Sequence, residues 1–500
     1  MTTPRIATLV IVLVCLPAAS AAQGYRIRVD TRWQSVAYRG VALDSIPTTD
    51  TVSSAVSGPA SPDGFAVRCQ AGAAFCTFFR PGTIRRGGPV TTTLDLTLWG
   101  FGVTGLSIRA SGRGGFDIGS MEVWPGTEPA VQLLEGYAEY AMPRVTARLG
   151  RQVIASRLGI SGFDGAALSV RPVRMRIELQ AYGGWGLAQG AALPVTSPAL
   201  NPLDDFQPRQ RQLLAGFAAG WTSATTDARV EYQREVDPQA NKFVSERIAL
   251  DGALRLAAAV RVAGGAEYDM AAGWWGSADA TAAYVTPRLR STLGLKRYRP
   301  HFDLWTIWGA FSPVPYHSVQ TSVAFAATSR IEIRGRYERY RFAEAEAETP
   351  LLTVKRDGWR VELGGTVTPW PEWTLDAGYQ REFGPGAGVG GTAASLTYEP
   401  SRRFRATVLA SAVARPLEFR FNDAVVRTYG VDAQYLPSDR LRIGLALQRY
   451  AASHDRPDAA AFDWRQFRAS LRVALAFGNG DDLPGLPPAI RILPGDRSAR

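Results

Sequence analysis

The chain is 500 residues long, with 56 basic residues against 45 acidic ones, a formal net charge of +11 and a mean hydropathy of −0.08. Past its first residues it holds no run of about 20 apolar residues, so nothing in it spans a bilayer as a helix. The positive charge is arginine, with Lys242, Lys296 and Lys355 the only lysines. It is spread along the chain rather than clustered, which argues against nucleic acid as a partner.

Residues 1–22 read as a secretory signal peptide. Arg5 supplies the positive start, residues 6–16 are apolar, Pro17 breaks the run, and Ala18, Ala19, Ser20, Ala21 and Ala22 offer small residues for cleavage. Cleavage is expected after Ala22, with Ala21 as the alternative, and Cys15 leaves with the signal.

From Tyr25 the pattern changes. Tyr25, Ile27, Val29, Thr31 and Trp33 alternate with Arg26, Arg28, Asp30 and Arg32. Side chains on a strand point alternately to opposite faces, so this segment separates an apolar face from a charged one. The next long connection, residues 39–90, holds Cys69 and Cys76. In an oxidising compartment so close a pair is expected to form a disulfide. Arg80, Arg85 and Arg86 follow it. They read either as a constriction facing a pore or as part of a stapled loop facing outward. There is no CxxCH haem motif and no Cys/His cluster with zinc spacing, so no metal or cofactor is expected.

The two-residue alternation returns in 289–296, 359–363 and 441–447. The strands are about ten residues long, the length a tilted strand needs to cross a bilayer. Short turns at 142–144, 171–172, 222–227, 257–259, 286–287, 328–329, 369–371, 399–401 and 437–439, with one near Gly102, alternate with longer connections. The longer ones are 113–130, 152–164, 183–210, 299–315, 342–355 and 452–463. Trp33, Tyr140, Trp221, Tyr284, Trp359, Trp373 and Tyr435 sit near strand ends, where interfacial aromatics belong. This predicts an all-β chain: a transmembrane antiparallel β-barrel of about 22 strands (20–24) over residues 23–477, with short periplasmic turns and long extracellular loops. Outer-membrane lipid is then its surroundings, and residues 478–500 are a periplasmic tail.

Counting faces puts Arg26, Arg28, Arg148, Arg174, Arg176, Arg255, Arg261, Arg288, Arg290, Arg334, Arg336, Arg403, Arg405 and Arg442 on the inner wall. Carboxylates such as Asp30, Glu139, Glu231, Asp251, Glu332 and Asp376 share that face. Cross-strand ion pairs account for most of these charges, and the arginine excess favours anions. With cleavage expected after Ala22 and the first strand expected from Tyr25, no room for a plug domain is expected ahead of it. Either loops fold inward, another protein fills the lumen, or the pore is large. His301 lies near Asp303 and His454 adjoins Asp455, but no nucleophile set accompanies them, so no catalytic site is expected.

Two local resemblances add to this reading. Ala147, Arg148, Leu149, Gly150, Arg151 and Gln152, followed by Gly162, Phe163, Asp164 and Gly165, resemble the GRQ…FDG passage of porin-like and alginate-export-type barrels. That resemblance implies passive movement of an anionic solute or polymer through an arginine-lined channel. The last strand, 467–477, resembles the C-terminal signal read by the barrel-assembly machinery, through Ser470, Leu475 and Phe477. The wide barrel is also similar in architecture to those that sheath a periplasmic multihaem cytochrome in electron conduits. That is the alternative to a channel.

Overall fold

A computed structural model describes residues 24–54, 58–118, 131–172, 176–187, 212–237, 242–299, 315–343, 356–384, 387–414, 425–453 and 463–479. The signal peptide, the tail from residue 480, Arg174, His301, Asp303, His454 and Asp455 lie outside them. The first strands are β1 Gly24–Pro47, β2 Val52–Ser54, β3 Gly58–Ala60, β4 Arg68–Cys69, β5 Phe75–Gly87, β6 Pro89–Trp99, β7 Leu106–Asp117, β8 Val131–Ala141 and β9 Val145–Ser156. Next come β10 Gly159–Val170, β11 Ile177–Gly186, β12 Leu213–Thr222, β13 Thr226–Asp237, β14 Lys242–Ala257, β15 Val260–Asp269, β16 Trp274–Val285, β17 Leu289–Tyr298 and β18 Tyr316–Thr328. The remainder are β19 Ile331–Phe342, β20 Asp357–Val367, β21 Trp373–Gly384, β22 Ala387–Ser401, β23 Phe404–Ala414, β24 Val425–Ser438, β25 Leu441–Ser453 and β26 Trp464–Gly478.

β1 and β6–β26 form a closed antiparallel barrel of 22 strands. Each strand pairs with its neighbour in sequence, and β1 closes the ring by pairing with both β26 and β6. Closure leaves no sheet edge, which is what lets strands cross a bilayer. At one end the connections are short: two to six residues separate β6 from β7, β8 from β9, and so on round to β24 and β25.

Two expected long loops are corrected. Within 39–90, β1 does not stop at the barrel rim. It leaves β26 after Ser35 and continues with β5 as a two-stranded ribbon from Val36↔Gly87 to Pro47↔Phe75. The ribbon carries a small core of Phe65, Val67, Cys76 and Phe78, with Ile46 packed on it, and Cys69 is bonded to Cys76. The second is 152–164, which is not a loop. It is the upper part of the β9–β10 hairpin, closed by a turn of two residues, Arg157 and Leu158.

Facing follows the two-residue period. Arg472 bridges to Asp30 beside Arg28, Arg109 and Arg148 share Glu139, and Arg290 and Arg334 pair with Glu332 and Asp376. Between these residues, on the other face, lie Ile27, Val29, Leu293, Leu295, Val361, Leu363, Ile443 and Leu445; Leu293, Leu295 and Leu363 are more than half exposed. The charged face is the inner one, as the β9–β10 hairpin establishes below. The apolar face is the band that meets lipid.

Candidate functional site

The β9–β10 hairpin leaves the wall. β8 pairs with β9 only from Ala141↔Thr146 to Gly136↔Arg151, and β10 pairs with β11 only from Val170 to Phe163. The crease falls at the cross-strand pair Gly150↔Gly165. Gly150 has φ +129°, and a Cβ there would stand 2.3 Å from the Gly136 carbonyl oxygen. A Cβ on Gly165 would meet the Gly183 carbonyl oxygen at 2.1 Å. Only glycine accepts this approach of backbone to backbone.

Past the crease the hairpin spans about seven residues, roughly 23 Å at 3.3 Å each. Its tip touches β13, β14, β15 and β16. Arg157 Nη1 donates to Asp251 Oδ1 at 2.9 Å, and Nη2 donates to Asp279 Oδ1 at 2.5 Å and to the Gly265 carbonyl at 2.9 Å. The Arg157 backbone N–H donates to Glu231 (3.1 Å), and Arg247 donates to the Leu158 carbonyl (2.8 Å). Along the wall, β10 to β16 is six strand spacings, roughly 29 Å at about 4.8 Å each. A 23 Å hairpin reaches these strands only as a chord through the interior. The hairpin therefore crosses part of the lumen, and the ion-paired face is the luminal one.

Its underside is apolar. Ile154, Phe163, Tyr182 and Leu214 form a buried cluster with Ala167 packed against it, and Leu158 is buried at the tip. Phe163 stacks on Tyr182 with ring centroids 5.6 Å apart. Two hydroxyls enclosed there share one acceptor: Ser161 and Tyr182 both donate to Gln233 Oε1, at 3.1 and 3.2 Å. At the crease Arg151 grips Asp164 through two bonds of 2.7 and 3.0 Å and donates to the Leu133 carbonyl, while buried Gln152 donates to the Gly165 carbonyl. The GRQ…FDG residues thus make the fold line of the inward hairpin.

The predicted wall arginines divide. Arg26, Arg28, Arg148, Arg255, Arg261, Arg290, Arg334, Arg336, Arg405 and Arg442 lie on the inner face of strands. Arg176, Arg288 and Arg403 do not. They sit in the short turns, where their carbonyls accept bonds from Thr222, Ala326 and Leu436. Face-counting ran past the strand ends there. Arg80, Arg85 and Arg86 belong to the ribbon: Arg80 pairs with Asp44 at 3.0 Å, and the consecutive Arg85 and Arg86 point to opposite ribbon faces. The hairpin β9–β10 is the element whose contacts run across the interior, to β13–β16.

Luminal charge is unevenly divided. On β25, β26, β1 and β6 the inner face carries Arg26, Arg28, Arg32, Arg442, Arg468 and Arg472 against Asp30 and Asp95. The wall under the hairpin, β11–β16, carries Glu178, Asp227, Glu231, Glu235, Asp251, Glu267, Asp269 and Asp279 against Arg229, Arg247, Arg255 and Arg261, with Arg157 added from the tip. A basic sector therefore stands across the lumen from an acidic one. The sequence reading also missed an aromatic cluster near the long-loop end. There Tyr316 lies 5.1 Å from Tyr298, 6.0 Å from Tyr340 and 5.5 Å from Phe342, next to the Glu338–Arg360–Glu382 ion pairs.

Solved structures with the same architecture are outer-membrane barrels. A mutant ferric enterobactin receptor of Pseudomonas aeruginosa in complex with enterobactin is 10% identical over 90% of this chain and 81% of that chain, with a TM-score of 0.50. Another mutant of the same receptor gives 9% over 90% and 80%, also at 0.50. The P. aeruginosa OccK3 protein gives 9% over 91% and 96%, at 0.36. No protein-family model matches the chain, and no curated protein does. The fold is that of a bacterial outer-membrane β-barrel.

Proposed function

We propose that the chain is a passive outer-membrane channel for anionic or bulky solutes, narrowed by the β9–β10 hairpin. The observation that carries this is the basic sector at barrel closure, where six arginines face two aspartates on β25, β26, β1 and β6. Fixed guanidinium charges along a water-filled wall raise the local anion concentration and lower the barrier to anion passage. The acidic sector opposite turns this into a transverse field, which orients a solute carrying both charge and dipole. The resemblance of the crease residues to porin-like and alginate-export-type barrels is in keeping with an anionic solute or polymer. The alternative, a sheath around a periplasmic multihaem cytochrome, loses support because the hairpin already takes up part of the lumen.

The test is the reversal potential of the purified protein in a planar bilayer under a salt gradient. Anion preference is expected, and Arg32→Gln with Arg442→Gln should reduce it. Cation preference in the wild type, or selectivity indifferent to those substitutions, defeats the proposal.

A further inference from the structure

The outer face of the barrel is also asymmetric. Along β17–β26 its long-loop end carries a row of basic side chains. Arg339 and Arg341 lie on β19, Arg381 on β21, Arg427 on β24, Arg449 on β25 and Arg465 on β26. All six are exposed. Each shares its face with the apolar band: Tyr337 precedes Arg339 by two residues, Tyr379 precedes Arg381, and Leu447 precedes Arg449. Register seats Arg449 between Tyr429 and Phe467, so the row stands at the aromatic edge of the band.

Among the described residues these charges are not spent on carboxylates. Among the described residues, Arg339, Arg341, Arg381, Arg449 and Arg465 have no carboxylate within ion-pair distance, and Arg427 has only a long bond to Ser453 Oγ. Among the described residues the carboxylates at this end of the face are Asp357, opposite Arg341, and Asp463, two residues before Arg465. The other half of the barrel differs. Its corresponding positions are Phe116, Trp185, Leu213, Val236 and Tyr268, and its Arg234 faces Glu246 across the β13–β14 pair.

The geometry points to a binding surface for phosphate-bearing lipid headgroups of the leaflet on the long-loop side, confined to the β17–β26 half of the barrel. The row sits where acyl chains give way to headgroups, so an amphiphile with an anionic head fits it and a soluble anion does not reach the neighbouring apolar contacts. Guanidinium is suited to the task because its planar fork binds phosphate through two parallel hydrogen bonds. Several such charges at a membrane surface act together on anionic lipid. The inference does not rest on the channel reading.

Native mass spectrometry of the full chain in neutral detergent tests it, with diphosphoryl lipid A, the same lipid stripped of its phosphates, and inorganic phosphate as probes. The diphosphoryl form should bind at least about tenfold more tightly than the stripped form. The R339Q/R341Q/R381Q variant should lose about tenfold of that affinity, whereas Arg234→Gln should lose little. Folding of each variant is checked by heat-modifiable migration on a gel, and Arg465→Gln alone serves if the triple variant does not fold. Equal binding of both lipids, an unchanged triple variant, equal loss in Arg234→Gln, or inorganic phosphate competing at the lipid's own concentration would each overturn the proposal.

Discussion

Replacing Arg157 by alanine removes the pin that holds the hairpin tip to the wall at β14–β16. Three hydrogen bonds go at once, to Asp251, Asp279 and the Gly265 carbonyl. Bonds involving a charged group are worth about 1.5–3 kcal/mol each when well buried. Here the Asp251 and Asp279 side chains are 38% and 40% exposed, so solvent screening brings each ion pair nearer to 1 kcal/mol. With the carbonyl bond the loss is about 3 kcal/mol, which multiplies the undocked population by roughly a hundred. The apolar cluster of Ile154, Phe163, Tyr182 and Leu214 stays in place, so the hairpin should loosen rather than leave. Single-channel recording should show brief excursions to a higher conductance that the wild type rarely makes. Current noise and conductance identical to wild type would refute the argument that the tip is held by this residue.

Phe163→Ala empties the centre of the same cluster and should cost about 3–5 kcal/mol, seen as a lower urea midpoint and more frequent open excursions. Gly150→Ala forces a Cβ to within 2.3 Å of the Gly136 carbonyl oxygen at φ +129°. It should reduce the yield of heat-modifiable folded protein, and wild-type yield would count against the crease. Leu295→Arg puts charge on the lipid face and should cost about 2–4 kcal/mol in urea unfolding near mid-bilayer; an unchanged midpoint would mean that the facing is reversed. Cys69→Ser with Cys76→Ser should destabilise the ribbon by about 2–3 kcal/mol. Proteolysis within residues 48–74 would report this, while the barrel's gel shift should persist.

The barrel was legible because most of its strands have lipid on one side and water or ion pairs on the other. Ile27, Val29 and Leu293 against Arg28, Asp30 and Arg290 obey that rule, and counting such segments leads to 22 strands. The hairpin was not legible for the same reason. Residues 152–162 lie inside the barrel, past the point where β10 leaves β11, with a packed underside and a wet upper side but no lipid, so their pattern is irregular and imitates a loop. One signal was present on the opposing wall. Tyr182, Leu214 and Ala218 are apolar or aromatic at luminal positions where neighbouring strands carry charge, and a strand apolar on both faces is covered on both. The Arg-x-Arg rhythm that took in Arg176, Arg288 and Arg403 misled because the alternation of a strand ends where its ladder ends. The ribbon was hidden by its cysteines and prolines, which punctuate like a loop although β1 runs unbroken to Pro47.

The most direct test of the account shortens the hairpin at its crease, replacing residues 152–163 with an Asn-Gly turn that joins Arg151 to Asp164. These two are cross-strand partners, and a two-residue turn of that sequence closes such a pair. Single-channel conductance in a planar bilayer is then compared with that of the intact chain. If β9–β10 crosses the lumen and narrows it, conductance should rise several-fold while gel migration of the folded barrel is retained. A folded variant whose conductance equals that of the intact chain would contradict the account.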